Sequence, residues 1–155
     1  MTTTVASIET KILTQGWGPG AWHGPDMKAA LGDVDAELAH FRPAPERHSI
    51  AEVALHHGFA VRAVRAKITG AAAEPFPFEG EDWFAVTEKT RPGWPEIRDL
   101  VEREHERLSR LLEDVASRSV TSPLGDDERL ELALGITCHA AYHAGQVQLL
   151  KKLKA

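Results

Sequence analysis

Close to its C-terminus the chain reads Cys138-His139-Ala140-Ala141-Tyr142-His143. Residues four apart on a helix stack on one face, so His139 and His143 address a common volume. Leu132, Ile136, Val147 and Leu150 share that stripe, which turns both rings toward an interior. Two imidazoles placed together in apolar surroundings resist protonation, because burial and mutual repulsion both act against the charge. A divalent cation resolves the conflict by taking one lone pair from each neutral ring. Two adjacent residues, His56 and His57, are candidates for a third donor. His57 sits within the apolar stripe Ile50, Ala54, His57, Val61, Val64, Ile68, and His56 lies about 100° round the helix from it. Glu52, Val53, Ala60 and Ala63 share the flank of His56, and the alanines leave room for an ion. Spacing alone leaves the choice between His56 and His57 open.

The other histidines read differently. His23 lies in the turn Trp22-His23-Gly24-Pro25; His40 and His48 flank the Pro43/Pro45 turn as solvated residues. His105 belongs to the charged run Glu102-Arg103-Glu104-His105-Glu106-Arg107, which reads as a solvated helical face. A carboxylate-bridged di-iron bundle builds its centre from E-x-x-H pairs on its core helices, and neither His139 nor His143 has a Glu three residues earlier. H-E-x-x-H, P-loop and G-x-G-x-x-G patterns are absent, and neither Ser49 nor Ser109 lies in a G-x-S-x-G context. Cys138 adjoins His139, but neighbouring helical side chains diverge by about 100°, so a Cys–His nucleophile pair is poorly placed.

These residues need long helices to hold them. Prolines cluster at 25, 43 and 45 and again at 75, 77, 92 and 95, leaving proline-free amphipathic stretches between. The first expected helix spans residues 4–15 and stops at Gly16-Trp17-Gly18-Pro19-Gly20. Two short helical pieces follow within residues 21–47, with Asp26 and Asp33 as N-caps. The second main helix opens on Ser49-Ile50-Ala51-Glu52, the S-x-x-E form of a capping box, and ends at Gly70. Residues 71–93 form a long loop bearing Phe76, Phe78, Trp83 and Phe84, expected to lie over a site or an interface. A third helix runs from about Pro95 to Ser117, and a fourth from an Asp126 or Asp127 cap to about Lys152. No segment alternates with period two. The expected fold is all-α, a four-helix bundle with long connections, occupying residues 1–155 as one domain.

The chain has 155 residues, 18 Lys+Arg against 23 Asp+Glu, and a formal net charge of −5. That balance argues against nucleic acid as a partner, since nothing would neutralise a row of phosphates. A single cysteine excludes a disulfide framework. No run approaches the roughly 20 apolar residues of a membrane span. The opening MTTTVASIETKILTQG lacks the basic and apolar blocks of a signal peptide, so a cytoplasmic location is expected.

Three segments together resemble the DinB/YfiT-like superfamily of metal-binding four-helix bundles. They are Ala21-Trp22-His23-Gly24-Pro25, then Ser49-Ile50-Ala51-Glu52-Val53-Ala54-Leu55-His56, then Gly135-Ile136-Thr137-Cys138-His139-Ala140-Ala141-Tyr142-His143-Ala144-Gly145-Gln146-Val147. The last is similar to the family's H-x-x-Y-H-x-G-Q pattern, with Ala140 where relatives often carry an acidic residue. The resemblance implies His56, His139 and His143 as ligands of one divalent metal, commonly zinc or nickel. It implies His23, Tyr142 and His57 as residues behind the ligands or against substrate, and Gly145 and Gln146 as packing residues. Family members with assigned chemistry are thiol-dependent transferases and isomerases. The implied activity is therefore transfer of a low-molecular-weight thiol (bacillithiol, mycothiol or glutathione) to a small electrophile held under the Phe76–Phe84 loop. A non-catalytic metal-binding stress protein and a metal-dependent hydrolase are the alternatives, and a homodimer is an expected assembly.

Overall fold

The computed structural model describes residues 7–155. The expected start of the first helix at Thr4 lies outside them. Among the described residues six helices form: α1 (Ile8–Thr14), α2 (Met27–Gly32), α3 (Ala36–His40), α4 (Ile50–Thr69), α5 (Trp94–Ala116) and α6 (Asp126–Lys154). The architecture is all-α, with α1, α4, α5 and α6 as the bundle. Among the described residues the only β-pairing is an isolated bridge between Glu81 and Trp83.

Local chemistry sets the helix boundaries. Ser49 Oγ accepts the Glu52 N–H at 3.3 Å, and Glu52 Oε1 accepts the Ser49 N–H at 3.1 Å, completing the capping box. Gly70 ends α4 in the left-handed conformation (φ 74°), with the Pro123 ring 2.8 Å from where a Cβ would sit. Pro95 occupies the first turn of α5, as its missing N–H favours. Two caps differ from expectation. Asp35, not Asp33, caps α3 through the Leu38 N–H, because Asp33 closes α2 and pairs instead with Lys151. Gly125 is the N-cap of α6, and Asp126 and Asp127 fall inside its first turn. Glu128 accepts the Gly125 N–H at 2.8 Å. Acidic residues at that end and Lys151, Lys152 and Lys154 at the other complement the helix dipole.

Two apolar clusters fill the interior. One gathers Trp17, Met27, Leu31, Ile50, Leu55, Phe84, Trp94, Ile97, Val101, Val147 and Leu150; the other gathers Leu13, Val61, Ile68, Leu108, Leu112 and Ile136. Along each long helix the histidines fall between residues of the two clusters: His56 and His57 after Leu55, His105 after Val101, His139 and His143 after Ile136. A polar layer therefore interrupts the core. At that level the backbone just after α1 comes close to α6: a Cβ on Gly16 would lie 2.5 Å from the Thr137 carbonyl oxygen and 2.9 Å from Ala140 Cβ.

The phenylalanines of the aromatic loop enter the core instead of covering a site. Phe76 and Phe84 pack on Phe59 of α4 with ring centroids 5.1 and 5.2 Å away, and Phe84 is buried. Glu52 ties the far end of the loop down, accepting the Val86 N–H at 3.1 Å while Arg42 donates to it at 2.5 Å and to the Val86 carbonyl at 3.0 Å. Burial alone would raise the Glu52 carboxyl, but the Arg42 guanidinium and the two backbone N–H groups outweigh it and hold it below its ordinary range.

Candidate metal centre

Each of the three expected ligands presents the same nitrogen to one point. His139 Nε2 lies 3.1 Å from His56 Nε2 and 3.2 Å from His143 Nε2. The three donors all fall within 4.8 Å of one another. The opposite nitrogens are engaged. His56 Nδ1 donates to the Asp82 carbonyl at 2.8 Å and lies 3.1 Å from its carboxylate. His143 Nδ1 donates to Gln146 Oε1 at 2.6 Å. Those oxygens cannot donate, so in the neutral forms of His56 and His143 the proton sits on Nδ1 and Nε2 carries the lone pair.

This donor set fits a cation. A single proton on His139 Nε2 can satisfy one neighbouring lone pair and leaves the other without a partner. A metal takes all three. With metal–nitrogen bonds of about 2.0–2.1 Å, nitrogens stand about 3.3–3.4 Å apart at tetrahedral angles and about 2.9 Å apart at right angles, bracketing the observed separations. Three neutral imidazoles also leave the ion its charge and leave coordination positions to other ligands. His56 and His143 are buried and His139 is half-buried.

The surroundings of His139 and His143 favour neutral rings. Burial pushes His139 down to about 4, helped by the neighbouring His143 and His56, and burial likewise lowers His143. Trp83 stacks flat on His56 at 3.9 Å between ring centroids, and His48 stacks on its other face at 3.7 Å. Trp83 is thus the loop aromatic that reaches the site. Asp82 beside it holds φ at 69°, a left-handed conformation uncommon for a residue with a Cβ. It brings a carboxylate to His56 from the loop. Ala140, the position where the resemblance would put an acid, is fully buried against Gly16.

Behind the cluster the structure departs most from expectation. His57 is fully buried, with Nδ1 2.7 Å from His139 Nδ1 and Nε2 2.6 Å from His105 Nε2. His105 is no solvated residue: it is 3% exposed, stacked on Trp17 at 4.4 Å. Burial drives His57 well below its ordinary range and His105 to about 3. A signal for His105 existed in the sequence. Ile97, Val101, Leu108 and Leu112 are buried at helical spacing, and His105 falls on their stripe, hidden among the charges of its neighbours.

The remaining candidates separate. Tyr142 is 67% exposed and meets His143 edge-on at 5.2 Å, at the rim of the site. His23 hydrogen-bonds the Gln15 carbonyl at 2.7 Å in an exposed turn, and its contacts do not reach the cluster. That turn is organised by Asp26, whose carboxylate accepts the Gly20 and Ala29 N–H groups. His40 is half-buried rather than solvated, with its Nδ1 unpartnered and its pKa lowered by burial. Gly145 faces open space and packs against nothing, and Gln146 serves as the partner of His143. A cleft of about 480 Å³ opens elsewhere, lined by Ala36, His40, Glu88 and Trp94, and none of the three histidines borders it.

The fold and the site define a helical bundle with a three-histidine cluster able to hold a metal ion. The chain belongs to the DinB superfamily, whose family model matches residues 21–147. No curated protein and no solved structure matches it. Among the described residues no helix is long and apolar enough to cross a membrane.

Proposed function

We propose that the protein is a divalent-metal-dependent enzyme, with zinc or nickel held by His56, His139 and His143, that transfers a low-molecular-weight thiol to a small electrophile. One observation carries the reading: His139 Nε2 lies 3.1 Å from His56 Nε2 and 3.2 Å from His143 Nε2, with the opposite nitrogens of His56 and His143 engaged by oxygen acceptors. A bound ion supplies a Lewis acid that favours the deprotonated form of a thiol or a water at neutral pH. The chain's own residues supply the frame. Asp82 and Gln146 fix the tautomers of His56 and His143. Trp83 covers the face of His56 and keeps water from it. The exposed hydroxyl-bearing ring of Tyr142 stands where a co-substrate would arrive.

The test is turnover of a chromogenic electrophile with bacillithiol, mycothiol and glutathione in turn, with and without chelator. A rate that depends on one thiol and is abolished by chelator supports the reading. Stoichiometric metal with no thiol-dependent rate points to metal sequestration, and a thiol-independent, chelator-sensitive rate on an ester points to hydrolysis.

A further inference from the structure

Three rings form an unbroken row: His139 Nδ1 to His57 Nδ1 at 2.7 Å, then His57 Nε2 to His105 Nε2 at 2.6 Å. The row crosses from α6 through α4 to α5. Trp17 stacks on its last member at 4.4 Å and holds that ring in place. The rings also lie nearly parallel, 21° apart at each step. Each short contact joins two nitrogens, so one must donate and the other accept. Because a neutral imidazole has one N–H, choosing the donor at one contact fixes it at the next. The row therefore has two arrangements. With a proton on His139 Nε2, His57 donates from Nδ1 to His139 and His105 donates from Nε2 to His57. With His139 Nε2 bare, His139 donates from Nδ1 to His57 and His57 donates from Nε2 to His105.

We infer that His57 and His105 are positioning residues for metal capture, and that a metal at the three-histidine cluster reverses the hydrogen-bond direction of the whole row as far as His105. The inference rests on the metal reading above. The proton balance closes. His139 gives its Nε2 proton to solvent, His57 passes its Nδ1 proton to His139, His105 passes its Nε2 proton to His57, and His105 takes a proton from solvent on Nδ1. Every ring is neutral at the start and at the end. In its second arrangement the row holds His139 with its lone pair on the shared point, as Asp82 and Gln146 do for the other two ligands, but with rings in place of oxygens. An oxygen acceptor permits one direction only; a ring permits both.

Nitrogen-15 NMR of the histidine rings, recorded on the full chain before and after one equivalent of zinc, reads the direction. Zinc is expected to move the proton of His105 from Nε2 to Nδ1, although His105 touches none of the three ligands. His105→Phe, which keeps a ring on Trp17 and leaves the His57 Nε2–H without an acceptor, is expected to weaken zinc binding by about 10–100-fold. His105→Gln, whose side-chain oxygen can accept that N–H, should bind zinc much closer to the wild-type affinity. A His105 proton on the same nitrogen with and without zinc overturns the inference, as does a folded His105→Phe protein that binds zinc as tightly as wild type. Should that variant not fold, the ring spectra of the wild type decide. Wild-type protein that takes up no zinc overturns the metal reading itself, and this inference with it.

Discussion

Two buried polar systems lie on α4 within three turns of each other, and they differ in completeness. Arg65, in the C-terminal half, donates to Glu104 of α5 at 2.8 Å and to Glu74 of the loop at 3.0 Å. Arg107 pairs with the same two carboxylates, and the two guanidinium partners hold Glu74 at about 2. Opposite charges balance and each carboxylate has a partner. The histidine system, a little over two turns away on the N-terminal side, has donors and acceptors matched on its outer nitrogens and unmatched on its inner ones. A network that satisfies itself clamps the loop to α4 and α5. A network that leaves lone pairs converging needs something from outside, and that need is the signature of a binding site.

The largest test of this contrast is His139→Ala. It should reduce zinc from about one ion per chain to background in elemental analysis, since two donors rarely retain an ion. Arg65→Met should leave the metal content unchanged. That substitution instead strips Glu104 of its buried partner and should cost about 3 kcal/mol in urea unfolding, the low end for broken buried pairs because Arg107 remains. Replacing both, Arg65→Met with Glu104→Leu, should recover a good part of the loss, as apolar replacements of buried pairs do.

Acid should separate the systems next. The folded pKa values of His139 and His105, about 4 and about 3, lie below the value of about 6.5 for an unfolded histidine. Between those limits the unfolded chain binds protons that the folded chain refuses. Metal-free protein is therefore expected to lose stability progressively as pH falls from about 6.5 toward 3, and to be indifferent to pH just above that range. Thermal unfolding across a pH series measures it. A metal-free protein as stable at pH 4.5 as at pH 7 would show that the rings are not held neutral. The smallest effect belongs to Asp82→Gly. It relieves the φ of 69° and keeps the carbonyl that accepts from His56, so zinc affinity should fall by no more than about tenfold through loss of the carboxylate alone.

The helices were legible where patterning is local. The capping box at Ser49 and Glu52, the break at Gly70 and the proline opening α5 each act within one turn, and the structure has them where the residues indicate. The i, i+4 pair His139 and His143 was legible for the same reason. The loop was not. Phe76, Phe78 and Phe84 are apolar enough to cover a site or to enter the core, and only the presence of Phe59 on α4 decides between these fates. His105 shows the opposite failure: its neighbours Glu102, Arg103, Glu106 and Arg107 mask a residue that one helical face buries.

By itself, then, the sequence determined that the chain is helical, where its long helices begin and end, and that one helix carries two imidazoles on a common face. Those properties depend on side chains within a turn of each other. Spacing left His56 and His57 open and only the family resemblance favoured His56; the tertiary structure decided that His56 faces those two while His57 backs one of them, that Asp82 arrives from a loop to orient His56, and that His105 closes a row of rings. Each of these joins residues 26 or more positions apart. Such contacts depend on how three helices and a loop share one core, which no spacing along a single helix encodes.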